Sequence, residues 1–158
     1  MDGSNKSSSA APPPGFREFR FEGVSFNQMI GPLFVKRDGA DMVMGFRIEQ
    51  RHCNPAGVAH GGMLMAVADM CAGLGTSLQA RIEKFLPTIN MNCDFVAPGP
   101  LGAWVEGRTE VIRVGRAMAF ANVMLRVDGT PILRASAVMK IPSGDGMKFD
   151  RAKFIAAD

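Results

Sequence analysis

Histidine is nearly missing from this chain. Only His52 and His60 occur in 158 residues, and no Gly-x-Ser-x-Gly run accompanies them. A nucleophilic triad needs a histidine base beside a serine on a strained turn, so that chemistry has little to build on. Cysteine is scarce too: Cys53, Cys71 and Cys93 are odd in number and form no Cys-x-x-Cys. They read as packed, reduced thiols, which points to a cytoplasmic home. His52, Cys53 and His60 lack a zinc spacing, so no metal is expected. A dense basic run is also absent. The net charge is +3, yet Arg108, Arg113, Arg116, Arg126, Arg134 and Lys140 are spread singly, with Glu106, Glu110 and Asp128 among them. A solvated sheet face accounts for that spacing, and nucleic-acid binding gains little support. The same charges could still meet a multiply phosphorylated small molecule. Residues 1–15 lack the apolar core of a signal peptide and read as a disordered tail.

Apolar residues, by contrast, are concentrated. From Gly61 to Ala80 the chain reads GGMLMAVADMCAGLGTSLQA, with Asp69 its only carboxylate. The run is long enough to cross a membrane. A central Asp costs about 2.5–3.5 kcal/mol there, four glycines interrupt the run, and strands follow it, so a helix covered by protein is the better reading. The pattern predicts a helix over 61–82, apolar almost all round and about 33 Å long. Gly73-Leu74-Gly75 lies inside it with no strand before it, which excludes a dinucleotide loop. A carboxylate buried in such a helix loses hydration at a cost of several kcal/mol unless partners compensate. Asp69 is therefore a functional candidate.

The rest reads as strands. Residues 16–31, with Phe16, Phe19, Phe21, Phe26 and Ile30, suggest a short helix or loop packed on the body. Strands are expected over 33–37 and 42–50 around Asp38-Gly39, then an irregular run through Pro55 and Gly57. Further strands are expected over 88–96, 104–114 and 117–127, with a hairpin at Asp128-Gly129. In the last strand Leu133, Ala135, Ala137 and Met139 alternate with Arg134, Ser136, Val138 and Lys140, giving one apolar face. The fold class is α+β: an antiparallel sheet curled around one central helix, in a single domain over 16–142 with a short tail at 143–158. One sheet and one helix leave strand edges uncovered, so a homodimer is expected.

His60-Gly61-Gly62 opens the long helix. Its first N–H groups carry partial positive charge and lack intrahelical partners. With no Cβ at Gly61 or Gly62, a ligand carbonyl can approach them closely, and such a terminus suits a developing oxyanion. Asp69 follows about 13 Å along the helix axis, too far to meet the same carbonyl within one chain. Two such helices side by side in antiparallel could join one chain's Gly61 to the other's Asp69.

The run Asn54-Pro55-x-Gly57-x-x-His60-Gly61-Gly62, then Asp69, then Pro87-Thr88-Ile89-Asn90-Met91-Asn92 and the Ala97-Pro98 break, resembles the hotdog-fold acyl-CoA thioesterases. It is most similar to the phenylacetate-degradation type and its mammalian relatives, over roughly residues 26–141. The resemblance implies a hotdog fold and hydrolysis of an acyl-CoA thioester without a cofactor. It implies that the Gly61 N–H polarises the thioester carbonyl and that Asp69 of a partner chain serves as base or nucleophile. Asn54 would orient the thioester or water, Thr88 would position water, and His60 would shape the turn. Arg113 and Arg116, flanking Gly115, are candidates for the CoA phosphates. A homodimer, or a pairing of two dimers, is the assembly this implies. Two other readings of the same fold remain: an acyl-CoA-binding sensor without catalysis, and a hydratase, whose His and acid arrangement is not found here.

Overall fold

The computed structural model describes residues 11–20, 26–144 and 147–148. Strands β1 (Arg17–Phe19), β2 (Leu33–Asp38), β3 (Asp41–Arg47), β4 (Thr88–Phe95), β5 (Trp104–Val114), β6 (Met118–Val127) and β7 (Thr130–Lys140) form one antiparallel sheet in the order β1-β2-β3-β5-β6-β7-β4. A short helix α1 (Phe26–Ile30), a 3-10 turn (Gln50–His52) and the long helix α2 (Gly61–Gln79) complete the elements of the described residues. Chain order explains the shape: β3 lies inside the sheet, β4 forms its far edge, and α2 spans the distance between them.

The alternation in the last two strands sets the concave face. Leu133, Ala135, Ala137 and Met139 of β7 are buried, as are Ala119, Ala121, Val123 and Leu125 of β6. Against them α2 turns Leu64, Val67, Ala68, Cys71, Ala72 and Leu78, an i, i+3, i+4 stripe. The closest approach is to β5. A Cβ on Gly107 would meet the Cys71 sulfur at 2.6 Å, and one on Gly75 would collide with the Thr109 side chain. Two bare positions therefore let helix and sheet touch. The β6–β7 hairpin turns at Asp128 and Gly129, both at positive φ (48° and 81°), as a two-residue turn of the mirror-image type requires.

Several expectations are corrected. α2 ends at Gln79, three residues early, because Arg81 takes a left-handed conformation (φ 55°) and the Ile82 and Arg81 N–H groups bond back to the Ser77 and Leu78 carbonyls. No glycine marks that stop. The stretch read as helix or loop over 16–31 contains a strand, β1, paired with β2. Three residues carry too little period to reveal themselves. β3 closes at Arg47 rather than 50, where the chain tightens into the 3-10 turn. As one sheet on one helix implies, α2 is buried on most faces but not all, and Met65, Ala66, Asp69, Met70 and Gly73 remain partly or fully exposed. Phe21 and most of the expected tails lie outside the described residues. Met147 does return to the body, where its carbonyl accepts the Phe85 N–H at 2.8 Å.

Candidate active site

The loop before α2 is built around Asn54. Its Oδ1 accepts the Ala56 N–H at 3.0 Å and the Val58 N–H at 3.4 Å, and its main-chain N–H donates to the Val58 carbonyl at 2.9 Å. Side-chain capture of nearby N–H groups is what makes Asn-Pro a turn opener. With Oδ1 taken, the Nδ2 donor is the free end of the side chain among the described residues. The Ala59 N–H donates to the Gly99 carbonyl at 2.8 Å and ties the loop to the Ala97–Pro100 break.

His60 caps the helix. Its Nδ1 accepts the Gly62 N–H at 2.9 Å, and its carbonyl accepts the Met63 and Leu64 N–H groups at 2.9 and 3.2 Å. A helix begins with four orphan N–H groups, here those of residues 60 to 63. Three are satisfied: the His60 N–H by the His52 carbonyl, and those of Gly62 and Met63 by His60 itself. The Gly61 N–H is the one left without a partner among the described residues, and it carries the positive end of a 19-residue helix. The sequence singled out both glycines; the structure separates them, since the Gly62 N–H is engaged by His60.

Asp69 is half-buried, not fully buried as its apolar context suggested, because its side of α2 borders the open sheet edge. Thr88, the first residue of β4, donates its hydroxyl to Asp69 Oδ1 at 2.6 Å. A donor at this distance fixes the orientation of the carboxyl group. Two neighbouring thiols stay protonated: burial and then Asp69 push Cys71 up to about 12, and burial, Asp94 and Asp69 also raise Cys93. Neither is a competing nucleophile.

At the other end of β4, the Phe95 ring lies 3.0 Å from where a Cβ on Gly61 would sit. The helix and its edge strand thus run in opposite directions, with Gly61 beside the end of β4 and Asp69 beside its start. Within one chain the two are separated by about 12 Å of helix axis. The structure therefore forms two clusters: His60, Gly61 and Gly62 with Phe95, entered through the loop that Asn54 braces, and Asp69 with Thr88. Arg113 and Arg116 join neither. They are exposed at the β5–β6 turn and have no partner among the described residues. The register Thr88–Met139–Ala119–Val114 sets that turn at the same end of the sheet as Thr88, three strand spacings (about 14 Å) away. Phe95 was missed because nothing local links it to residue 61.

A cleft of about 460 Å³ lies elsewhere, on the convex face among Arg108, Glu110, Asn122, Arg126 and Arg134. Its three arginines already have partners within the chain. Arg134 pairs with Asp94 and Arg108 with Asp38, both at 2.7 Å, and Arg126 bonds the Gly129 carbonyl.

The sequence pattern of the thioesterase superfamily matches residues 56–132. A Pseudomonas aeruginosa protein provisionally named an esterase is 31% identical over 131 residues, spanning 82% of this chain and 97% of its own. Human acyl-coenzyme A thioesterase 13 is 24% identical over 104 residues, 64% of this chain and 72% of that one. Two solved structures share the fold of a long helix on an antiparallel sheet. The Escherichia coli PaaI protein from the phenylacetic acid degradation operon aligns with a TM-score of 0.67 at 15% identity, over 77% of this chain and 86% of that one. A Streptococcus pneumoniae hypothetical thioesterase with coenzyme A aligns with a TM-score of 0.64 at 19% identity, over 83% of this chain and 98% of that one.

Proposed function

Because the chain belongs to the thioesterase superfamily, we propose that it hydrolyses an acyl- or aryl-CoA thioester to the free acid and CoA, at a site shared by two chains. The observation that carries this is the position of β4. Among the described residues it pairs only with β7, leaving its outer edge open, with Ile89 57% and Phe95 54% exposed. An unpaired edge is a template for another strand. Antiparallel pairing of β4 with its own copy, about a two-fold axis near Met91 and Asn92, sets the start of one strand against the end of the other. Asp69 stands at the start and Gly61 at the end, so the pairing brings the partner's Asp69 to the free Gly61 N–H. Two equivalent sites result.

The chemistry follows. The Gly61 N–H donates to the thioester oxygen and strengthens its bond as negative charge gathers there. Asn54 Nδ2 is a second donor on the same loop. The partner's Asp69, aligned by the hydroxyl of the partner's Thr88, takes a proton from water as the water oxygen adds to the carbonyl carbon. Collapse of the adduct expels the CoA thiolate, a good leaving group that needs no strong acid. Direct attack by the carboxylate, giving a mixed anhydride that water then opens, uses the same atoms. His60 serves as cap rather than base, since its Nδ1 is occupied. Arg113 and Arg116, on the exposed turn, are suited to the CoA phosphates as paired donors. The human relative's name and the coenzyme A in the pneumococcal neighbour support CoA thioesters as the substrate class. The free cysteines are consistent with a cytoplasmic enzyme, and the assembly is a homodimer, with pairing of two dimers as its extension.

The test is release of free thiol from phenylacetyl-, hydroxybenzoyl-, hexanoyl- and palmitoyl-CoA. Asp69→Asn keeps an oxygen for Thr88 but not the charge, so turnover should fall at least about a hundredfold with the fold intact. Unchanged turnover removes Asp69 from the mechanism. Tight binding with no release from any thioester favours the sensor, and enoyl–hydroxyacyl exchange favours the hydratase.

A further inference from the structure

Of the two histidines, His52 is the buried one, 3% exposed, and the proposed reaction does not use it. Its imidazole is held from three directions. Nδ1 accepts the Glu49 N–H at 3.0 Å, the Nε2–H donates to the Ile30 carbonyl at 2.9 Å, and the ring meets Phe46 edge-on with centroids 5.7 Å apart. A neutral imidazole has one donor and one acceptor nitrogen, so this pattern admits a single tautomer, with its hydrogen on Nε2. The main chain of the same residue reaches the site: its carbonyl accepts the His60 N–H at 2.7 Å, one residue before Gly61.

We propose that His52 is the positioning residue of the oxyanion donor. It clamps the 3-10 turn between β3 and the end of α1, and through its own carbonyl sets the angle at which His60 leads the chain into α2. That angle decides where the free Gly61 N–H points. This kinetic role rests on the thioesterase reading; the mechanical coupling from His52 to Gly61 does not.

The clamp works only with a neutral ring. A proton on Nδ1 would oppose the Glu49 N–H, donor against donor, and that contact would be lost. The charged groups bearing on the ring are Arg51 and Glu49 of its own turn, which act in opposite senses. β3 presents the Phe46 ring and the Arg47 main chain, and α1 presents the Ile30 carbonyl. Burial outweighs them and holds the imidazole below its ordinary range. The clamp is therefore complete above about pH 6.5 and is released as pH falls through the lowered folded value.

The experiment follows the Gly61 amide by ¹H–¹⁵N correlation across pH 4.5–8, alongside the His52 imidazole, in the wild-type protein and in His52→Gln. In the wild type the Gly61 amide should shift with the midpoint of His52, and in the variant that transition should vanish. His52→Gln should also lower kcat for the best thioester about tenfold with KM changed less than twofold, and should remove one proton from the acid limb. A Gly61 amide that ignores His52, or a folded variant with unchanged kcat and acid limb, overturns the proposal. Should the variant fail to fold, the wild-type coupling decides by itself. Coupling without any thioester hydrolysis would sink the enzyme reading and leave the clamp standing.

Discussion

At Gly61 a single N–H can be removed almost without touching the fold. Proline is well tolerated at the first position of a helix, where its missing N–H would be unpaired in any case. His60 already has φ −63° and ψ 135°, the extended conformation a residue before proline needs. The added Cβ first meets Phe95, a largely exposed side chain that can yield. Gly61→Pro should therefore lower kcat by about 10²–10³, the cost of one oxyanion donor, while the melting temperature stays nearly constant. Gly61→Ala carries a similar steric load but keeps the N–H, and should retain most activity. Steady-state kinetics on both variants separate donor from shape; equal losses would mean that Phe95 packing, not hydrogen bonding, is at stake. The residue types of this site were legible in the chain, because helix capping acts over three or four positions. The division of labour between Gly61 and Gly62 was not, because it depends on the rotamer of His60.

Among the elements, α2 and β5 are the most tightly matched pair. A methyl group on Gly107 would press on the Cys71 sulfur at 2.6 Å and Leu125 Cδ2 at 2.8 Å. Overpacking of this kind costs about 1–3 kcal/mol, so Gly107→Ala should lower the melting temperature by about 5 °C. Adding Cys71→Ala should recover part of that loss by vacating the sulfur's space; no recovery would place the strain elsewhere. The paired faces of β6 and β7 could be drawn from alternation, β5 from the breaker and turn that bound it, and the helix from its apolar run. The end of α2 could not, since Arg81 adopts a left-handed conformation without the usual glycine. β1 was equally hidden: its three residues are a strand only because β2 offers an edge.

For the whole molecule the open edge of β4 is the feature on which everything turns. If each site takes Gly61 from one chain and Asp69 from the other, two inactive variants can rescue one another. Mixing Asp69→Ala with Gly61→Pro chains after reversible dissociation should restore about a quarter of wild-type activity, since half of random dimers are mixed and each holds one intact site. Equilibrium sedimentation should show the dimer in both parents, and no recovery on mixing would return the site to a single chain. The sequence alone determined the helix with its His-Gly-Gly start, the alternating strands, the concave apolar face and the lone carboxylate at Asp69. These depend on period, capping and composition, which act between residues a few positions apart. Tertiary structure decided that Thr88 bonds Asp69 across 19 residues, that Phe95 covers Gly61, that β4 is an edge, and that His52 is buried against Ile30. Such partners are set by strand order and by the path of α2 across the sheet, and no local pattern carries that information.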